Sequence, residues 1–513
     1  MSVTNLNGEY DLVLYGLGVM GENFIRNFAR NGYRVIGVNR TVARTELFAK
    51  EVANEPIADR VGTAETLVEA CRALKSPGGA VLAMIKANDP VVEPLGGIDE
   101  LFFTGSQARI GETTRSVPPL ADLVPPGTVI IDAANSHPSS TARRCAEFAR
   151  RGILFVGTGV SGGAEGALKG PSIMPGGTRE AYEVVGKMLE TVSAQVDGPC
   201  CTYLGDNEAG HFVKNIHNGI EYGIMQAISE VFFGLQQSLG LSYPELHEIF
   251  AKLTAGAHGG YLMEISTAAL GMVDAETQQP VLDVIVDRAG QKGTGKWTSQ
   301  MAFDLGVPVP TIAAALQARI MSSFKPQREK AARRLKHFAL SRVTPKKRDE
   351  LIAAAADALY ATMIAAYDQG FWMLQEGSKA DPAESGGLFN FTLNMVEIAR
   401  IWKGGCIIRS KLLDPIREAY LENPKLHSLM MAPYFKDVLV SAKFQKNWRR
   451  WVTTMVSLGL PVDSVAASLT YYDTYSTARL PANMIQAQRD TFGEHGFERV
   501  DKDGKGYHLN PAR

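Results

Sequence analysis

The chain has 513 residues, too many for one compact hydrophobic core, so we expect two or three domains. Hydrophobic residues make up 45% and charged residues 21%, the balance of an ordinary globular protein. The formal net charge of -1 gives no electrostatic reason to expect nucleic acid or a membrane surface as the main partner.

The cysteines and the N-terminal residues give information about the cellular compartment of the protein. The five cysteines include no CxxC pair with the spacing of zinc ligands, so no metal site is expected, and cysteines without a disulfide framework indicate a reducing compartment. Residues 1–10 lack the apolar run of a secretory signal and the arginines of a transit peptide. No apolar stretch stands out as long enough to span a bilayer. We therefore expect a cytoplasmic protein that binds neither nucleic acid nor a membrane.

Short apolar runs alternate with helix-sized segments through the first part of the chain. The predicted strands are Tyr10–Tyr15, Tyr33–Val38, Ala80–Ile85, Thr128–Ala133 and Ile153–Val156. Continuous apolar runs at this spacing are typical of a parallel sheet covered on both faces. Residues 1–210 are thus predicted to form an α/β doubly wound, Rossmann-type domain.

The first predicted strand runs into a GxGxxG turn and then a helix. The turn consists of Gly16, Leu17, Gly18, Val19, Met20 and Gly21. Glycines in such a turn permit a tight bend, a close backbone approach to a pyrophosphate and close helix–strand packing, while the helix N-terminus faces the phosphates. The order strand, turn, helix, strand predicts a dinucleotide site, and a purely structural glycine turn is the alternative.

Asn39, Arg40 and Thr41 follow the second predicted strand. An NAD site usually has Asp or Glu here, and a carboxylate would repel the 2′-phosphate of NADP. Arginine can grip that phosphate with its fork of donors. The pattern therefore favours NADP over NAD, and the alternative is that Arg40 is a solvated surface residue.

A glycine-rich segment, Val160–Gly177, follows the last predicted strand. Backbone N–H groups of such a loop can cradle a carboxylate or a phosphate. A flexible surface loop is the alternative, although ordering so many glycines is costly without a ligand.

The spacing of apolar residues changes past about residue 210. Apolar residues recur at three- and four-residue spacing in Gly223–Leu239, Leu351–Leu374 and Leu388–Ile408, which predicts an all-helical domain over residues 211–469. The segments Met225–Gly240 and Met363–Gly377 look loosely alike, which leaves an internal duplication as an open hypothesis. The tail, residues 470–513, is too polar to form a core alone, so we expect it to pack on something else.

Four polar residues fall on one face of a predicted helix. Lys214, His217, Asn218 and Glu221 occupy positions i, i+3, i+4 and i+7. The lysine and the glutamate form a candidate acid–base pair, because burial and neighbouring charges can lower the pKa of a lysine. A solvated charged face with an ordinary salt bridge is the alternative, and the preceding glycine-rich segment favours the acid–base hypothesis.

Together these motifs make the chain similar to the decarboxylating 6-phosphogluconate dehydrogenase family over nearly its whole length. The matching stretches are GLGVMGEN at 16–23, NRT at 39–41, SGGAEGALKGPSIMPGG at 161–177, HFVKNIHNGIEYG at 211–223, QKGTGKWT at 291–298, GGCIIRS at 404–410 and ARLPANMIQAQRDTFGEH at 478–495.

The resemblance implies a reaction of the pentose phosphate pathway. NADP would oxidise 6-phospho-D-gluconate at C3, and loss of CO2 would leave D-ribulose 5-phosphate and NADPH. By the same resemblance Lys214 is the general base, its protonated form stabilises the enolate oxygen, and Glu221 is the general acid that protonates C1 of the enediol. No Asp/Glu/His cluster in the sequence resembles a divalent metal site, which agrees with a metal-free route.

The resemblance also assigns residues to the two ligand sites. For the coenzyme it adds Ile85, Lys86, Ala87 and Asn135 to the turn and to Asn39–Thr41. For the substrate it selects Asn135, Ser161, Gly162, Gly163, His217, Asn218, Tyr222, Lys292, Thr294 and Arg319. Arg489 and His495 are expected to reach the neighbouring subunit's active site, which implies a homodimer with exchanged tails.

One segment departs from the family pattern. Pro90–Pro119 contains an apparent insertion, about residues 91–118, where the family has a much shorter connection. It leaves the carboxyl end of a strand, on the rim where the coenzyme lies. Our hypothesis is that it borders the NADP site or the dimer surface, and a simple surface extension is the alternative.

Two other functions stay open at this point. Another β-hydroxyacid dehydrogenase would share the nucleotide turn, the glycine-rich segment and the lysine, but would generally lack the doubled helical domain and the tail. A non-catalytic NADP-binding regulatory protein would be expected to have lost Lys214 or Glu221, and the sequence has both.

Overall fold

The computed structural model describes residues 10–87, 97–124, 127–291, 293–335, 347–378 and 391–509. Its first domain contains the strands β1 (Leu12–Tyr15), β2 (Val35–Val38), β3 (Val61–Thr63), β4 (Ala80–Ala83), β5 (Ser106–Ile110), β6 (Thr113–Val117), β7 (Val129–Asp132), β8 (Leu154–Ser161) and β9 (Ser172–Gly177). Its helices are α1 (Val19–Arg30), α2 (Val42–Val52), α3 (Leu67–Arg72), α4 (Leu120–Leu123), α5 (Pro138–Arg150), α6 (Gly163–Lys169) and α7 (Arg179–Val192).

Seven of these strands form one sheet in the order β3-β2-β1-β4-β7-β8-β9. All neighbouring pairs are parallel except β8 and β9. Successive side chains of β1 enter two different hydrophobic clusters, Val13 on one face and Leu14 on the other. Both faces are therefore covered, as a parallel sheet requires, and the predicted α/β fold class is confirmed.

The five predicted strands are all present, but the sheet has two more. β3 is only three residues long, and β9 lies inside the glycine-rich segment that we predicted to be a loop. That prediction is wrong in its outline: the segment comprises the end of β8, the helix α6 and the antiparallel strand β9. β9 tolerates Pro175 because it is the edge strand of the sheet.

The second domain is built from helices. They are α8 (Ala209–Leu239), α9 (Tyr243–Ala255), α10 (Tyr261–Leu270), α11 (Val281–Val284), α12 (Thr294–Asp304), α13 (Pro310–Ser323), α14 (Lys325–Arg334), α15 (Arg348–Glu376), α16 (Met395–Ile401), α17 (Leu413–Glu422), α18 (Pro433–Leu439), α19 (Ala442–Ser457), α20 (Asp463–Tyr475) and α21 (Ala482–Gly493). The predicted helix over Leu388–Ile408 is shorter than expected, since only α16 is helical and residues 388–390 lie outside the described residues.

The long helices α8 and α15 pack against each other at the centre of this domain. α15 is long and apolar enough to cross a membrane by length and composition, which the inspection of the sequence overlooked. Of the most apolar 18-residue stretch of this helix, 72% is buried inside the protein, as expected for the core helix of a bundle.

A seam of glycines joins the two domains along β8, β9 and α8. A Cβ atom at Gly159 would overlap the Cβ of Lys214, and a Cβ at Gly210 would overlap the carbonyl oxygens of Met174 and Gly157. Only glycine allows this approach. The first turns of α8, which carry Lys214, are thereby held directly against the sheet.

The inserted segment is structured from residue 97 onwards. It forms a π-helical turn over Glu100–Thr104 and the antiparallel hairpin β5–β6, while residues 91–96 lie outside the described residues. Phe102 is fully buried and packs on Phe148 and Phe155, with ring centroids 5.4 and 6.2 Å apart. The segment therefore contributes Phe102 to the core of the first domain, while most side chains of its hairpin stay at the surface.

Candidate active site

The glycine turn lies at the carboxyl end of β1, where it begins α1. Gly16 has φ +115°, and a Cβ on it would contact the carbonyl oxygen of Met84 at the end of β4. A Cβ on Gly21 would overlap the carbonyl oxygen of Gly16. At Gly18, by contrast, nothing lies within 4 Å, and this residue caps α1 without a side-chain hydrogen bond. The turn thus leaves open space beside the N–H groups of a helix N-terminus, which suits a pyrophosphate.

Asn39 fixes the edge of this turn. Its Oδ1 accepts a hydrogen bond from the backbone N–H of Leu17 at 3.1 Å, and its Nδ2 donates to the carbonyl oxygen of Thr41 at 3.3 Å. Arg40 is exposed, and Thr41 precedes the first turn of α2. These three residues therefore lie beside the glycine turn, with one exposed cation and no carboxylate among them.

The remaining candidates for the coenzyme site follow strands of the same edge. Ile85, Lys86 and Ala87 lie just beyond the end of β4, and Asn135 follows β7 with an exposed side chain. Parallel strands that neighbour each other end at the same edge of a sheet, and β4 lies between β1 and β7. The sheet order thus brings all of these residues to one side of the domain.

Lys214 is buried in α8 at the junction of the domains. Its Nζ lies 3.4 Å from Nδ1 of His217, which in turn lies 3.1 Å from Oδ1 of Asn218. The other ring nitrogen of His217, Nε2, lies 3.1 Å from Oγ of Ser161 at the end of β8. Glu221 follows one turn later, with Oε2 3.8 Å from Nδ1 of His217 and 22% of its side chain exposed. The four polar residues predicted to share one face of a helix do so on α8, and this face is directed towards β8.

The environment alters how these groups titrate. Burial lowers the pKa of Lys214 to about 8, against a smaller opposing effect of the carboxylate of Glu221. Burial and the nearby charge of Lys214 hold the pKa of His217 well below its usual range, so its contact with Glu221 is not an ion pair at neutral pH. Burial raises the pKa of Glu221, opposed by Lys214 and Arg319. A lysine with a lowered pKa and a carboxyl with a raised pKa suit acid–base chemistry near neutrality.

The end of β8 adjoins a segment from the helical domain. Ser161 Oγ accepts a hydrogen bond from the backbone N–H of Ile407 at 3.4 Å. Gly162 and Gly163 follow with φ values of +121° and +62° and begin α6. The carbonyl oxygen of Gly405 lies so close to Gly162 that a Cβ there would contact it at 2.5 Å.

Tyr222, the residue after Glu221, stacks with a cation from α13. The Arg319 guanidinium stacks over the Tyr222 ring at 3.7 Å from its centroid, and its Nη2 approaches Sδ of Met225 at 3.8 Å. Thr294 is buried at the start of α12, where a Cβ on Gly295 would contact the Tyr222 ring at 2.5 Å. Lys292 lies outside the described residues.

Arg489 and His495 belong to the tail. Both are exposed, and their described contacts stay within it: Arg489 donates to Gln486 at 3.1 Å, and the His495 ring lies 5.7 Å from that of Phe492. Within the described residues of this single chain, no hydrogen bond or ring contact joins either of them to the Lys214 cluster. The described part of the chain also contains no group of three or more His, Cys, Asp or Glu side chains that could hold a metal ion.

Comparison with known proteins decides the family. The model of the 6-phosphogluconate dehydrogenase NAD binding domain matches residues 11–205, and that of the 6-phosphogluconate dehydrogenase C-terminal domain matches residues 210–510. The chain belongs to the 6-phosphogluconate dehydrogenase family. The family predicted from the sequence motifs is thus confirmed, and the match over residues 210–510 sets aside another β-hydroxyacid dehydrogenase.

Similarity to individual members extends over almost the whole chain. The NADP(+)-dependent, decarboxylating 6-phosphogluconate dehydrogenase of Bacillus subtilis is 44% identical over 490 residues, covering 95% of this chain and 96% of that one. The decarboxylating enzyme of Schizosaccharomyces pombe is 40% identical over 509 residues, covering 98% and 96%. The Plasmodium falciparum 6-phosphogluconate dehydrogenase, solved in its apo form, with NADP+ and with 6-phosphogluconate, superposes with a TM-score of 0.84 at 36% identity, covering 97% of this chain and 99% of that one.

Two parts of the site were not predicted from the sequence of this 6-phosphogluconate dehydrogenase family member. The first is Gly405–Ile407, which contacts Ser161 and Gly162. The motif GGCIIRS had contributed to the resemblance, but no spacing rule connects it to a strand more than two hundred residues earlier. Its packing became visible only in the folded chain.

The second group is a buried ion network beneath the loop that carries Asn135. Arg144 Nη1 donates to Oδ2 of Asp132 and to Oγ of Ser136, each at 2.7 Å, and its Nε donates to Oδ1 of Asp99 at 2.7 Å. Asp99 belongs to the inserted segment. The network therefore connects the predicted insertion to the loop between β7 and α5.

Proposed function

We propose that this chain catalyses the NADP-dependent oxidative decarboxylation of 6-phospho-D-gluconate to D-ribulose 5-phosphate, CO2 and NADPH. Family membership over both domains supports the overall reaction, since full-length relatives carry this activity in their names. The observation that carries the proposal concerns Lys214. This buried lysine has a pKa lowered to about 8, lies opposite the end of β8 and shares one face of α8 with Glu221. A regulatory protein without catalysis would have no need of this pair.

The residues at the sheet edge fit NADP. The open space at Gly18 and the N-terminus of α1 suit the pyrophosphate, and Asn39, Arg40 and Thr41 offer amide, guanidinium and hydroxyl donors without a carboxylate to repel a 2′-phosphate. When bound, NADP supplies the acceptor for the hydride that leaves C3 of the substrate.

The proton steps belong to Lys214 and Glu221. Neutral Lys214 takes the proton of the C3 hydroxyl as the hydride departs, which leaves a ketone at C3. The protonated amine then stabilises negative charge on that oxygen while the C1–C2 bond breaks, C1 leaves as CO2, and its electron pair forms the enediol. Glu221 donates its proton to the former C2, which becomes C1 of the product.

The neighbouring groups hold and orient the substrate in this proposal. Ser161, His217 and Asn218 offer neutral donors and acceptors around Lys214, as hydroxyl groups of a sugar acid require. Arg319, stacked on Tyr222, provides a cation for the phosphate end. Asn135, Gly162, Gly163, Lys292 and Thr294 complete the proposed substrate shell on the strength of the family pattern.

Lys214→Met tests the base while preserving the aliphatic volume that packs against Gly159. We expect the rate of NADPH formation from 6-phosphogluconate to fall by about three orders of magnitude, within the range for loss of an acid–base group, with NADP affinity unchanged. Lys187→Met, at an exposed lysine of α7, is the matched control and retains full activity. Comparable activity in both variants would refute the assignment of Lys214.

We also propose a homodimer in which each tail completes the other subunit's site through Arg489 and His495. Exposed apolar side chains on α21 support this: Met484, Ile485 and Phe492 are 62%, 59% and 75% exposed in the single chain. Apolar surface on an otherwise polar tail indicates that another surface covers it.

Mixed dimers test the exchange. Neither Lys214→Met nor Arg489→Gln homodimers are expected to be efficient catalysts. A heterodimer of the two contains one site with an intact Lys214 and an intact tail, provided that the tail comes from the other subunit, so co-expression restores activity up to one site per dimer. If each tail serves its own subunit, mixing restores nothing.

A cytoplasmic location is part of the same proposal. All five cysteines are free, and four of them are buried, as expected in a reducing compartment. Fractionation of cells that express a tagged full-length chain would test the location.

A further inference from the structure

The inserted hairpin continues the sheet-like pairing beyond the end of β2. The backbone N–H of Arg109 on β5 donates to the carbonyl oxygen of Arg40 at 2.7 Å, and Arg109 forms a parallel bridge with Thr41. β5 also packs on α2, the helix that follows Thr41. The predicted insertion therefore lies directly along residues proposed to bind the 2′-phosphate of NADP.

The bridge places Arg109 beside Thr41. Bridge partners in a parallel pair lie side by side and project to the same face. Asn39, Arg40 and Ala108 line one small cavity together with Tyr15, so β5 adjoins the end of β2 along this edge. Arg40 and Arg109 are both exposed there.

Within the described residues, the positive charge of Arg109 is not balanced by an ion pair. The Arg109 side chain is exposed, and within the described residues it forms no ion pair or side-chain hydrogen bond. The side chain of Thr41 makes no capping hydrogen bond to α2, and the first turn of that helix has no acidic residue. Within the described residues, the Arg109 guanidinium thus lies beside Thr41 without a carboxylate in an ion pair with it.

We propose that Arg109 is a second arginine for the 2′-phosphate of NADP, contributed by the inserted hairpin. The inference rests on the proposed function, which assigns Asn39–Thr41 to that phosphate. A guanidinium fork beside Thr41 matches the geometry of a phosphate dianion and is selective, because NAD has no charge at this position. The insertion thereby adds discrimination between NADP and NAD to the binding edge.

Binding of nucleotide fragments to the full-length enzyme without coenzyme tests this directly. Calorimetric titrations with 2′,5′-ADP and with 5′-AMP separate the contribution of the 2′-phosphate from that of the adenosine. We expect Arg109→Gln to weaken 2′,5′-ADP by about tenfold, the effect of one charge-assisted hydrogen bond, and to leave 5′-AMP unchanged. Arg109→Lys, which keeps the charge but loses the fork, should give an intermediate loss.

Two further variants serve as references. Arg115→Gln removes the same charge from β6, where the exposed Arg115 pairs with Ala108 and is separated from Thr41 by β5, and should bind both fragments like the wild type. Arg40→Gln reports on the proposed coenzyme site itself. Thermal denaturation of each variant verifies that the hairpin remains folded.

The outcomes distinguish the role of Arg109 from the assignment of Asn39–Thr41 to the 2′-phosphate. Loss of 2′,5′-ADP affinity with Arg40→Gln but not with Arg109→Gln overturns the role of Arg109 and leaves the proposed coenzyme site intact. No loss with either variant contradicts the assignment of Asn39–Thr41 and, with it, this inference. Equal weakening of both fragments by Arg109→Gln, or an equal effect of Arg115→Gln, also overturns the proposal.

Discussion

The Nζ atom of Lys214 lies 3.4 Å from Nδ1 of His217, and both side chains are buried. Because the charge of the lysine adds to the effect of burial in depressing the pKa of His217, the imidazole stays neutral near physiological pH. Burial lowers the pKa of Lys214 to about 8 and raises the pKa of Glu221, which brings the two closer together.

We expect a bell-shaped pH profile of kcat/KM with its alkaline limb at about pH 8, the pKa of Lys214. The productive form has a proton on Glu221 and none on Lys214, and it interconverts with the form in which the lysine carries that single proton. Both forms are lost when pH rises through the lysine pKa, and both gain a second proton when pH falls through the Glu221 pKa. Initial rates between about pH 5 and 10 measure the profile, and activity that keeps rising above the lysine pKa would contradict it.

Glu221→Gln should lower the pKa of Lys214 further, to below about 8, because the carboxylate of Glu221 is the first opposing influence on a lysine that burial already disfavours. The lysine then becomes neutral, and reactive towards an acylating reagent, at lower pH. Mass spectrometry of the Lys214 peptide after brief acylation across a pH series measures the shift. Glu180→Gln, at an exposed glutamate of α7, is the control and should leave the titration in place; an upward shift in Glu221→Gln would be incompatible with the described site.

Gly159→Ala should impair catalysis without removing any chemical group. Its methyl group would overlap the Cβ of Lys214, so either the strand or the helix must move. A displacement of about 1 Å at a reacting group can cost about 100-fold in rate. We therefore expect a large fall in kcat with a smaller change in NADP affinity. Gly256→Ala, whose methyl group would meet its nearest neighbours at 3.4 and 3.5 Å, serves as the control with near wild-type kcat.

Asp99→Ala should destabilise the first domain by about 3 to 5 kcal/mol, the range for removing one partner of a buried ion pair. Arg144 would be left buried with Asp132 as its remaining carboxylate partner in the described chain. Since Arg144 also holds Ser136, we expect the KM for the substrate to rise through the loop of Asn135. Chemical denaturation and steady-state kinetics measure both effects, with Glu100→Gln as an exposed neighbouring control. An unchanged unfolding free energy would show that the network is not needed for stability.

Local patterns in the sequence were sufficient for the elements whose chemistry is local. The glycine turn needs a strand before it and a helix after it, and Gly16 and Gly21 have the close contacts that this role demands. The three- and four-residue spacing of Lys214, Asn218 and Glu221 requires only that α8 be helical. These residues could be identified before any tertiary contact was known.

Features that depend on distant contacts were missed. β9 combines Pro175 with two glycines, a composition typical of a loop, and is a strand only because β8 supplies its hydrogen bonds. The hairpin β5–β6 lacks a continuous apolar pattern, since few of its side chains are buried. The ion network joins Asp99 to an arginine 45 positions later in the chain, and no local periodicity links them.

The glycine seam between β8 and α8 has a consequence for how ligands enter and leave. A hinge requires slack at the point about which two bodies turn, and the contacts of Gly159 with Lys214 and of Gly210 with Met174 leave no room even for a methyl group. We therefore expect the sheet of the first domain and the first turns of α8 to move as one rigid body. Ligand entry and exit would then depend on elements outside this contact.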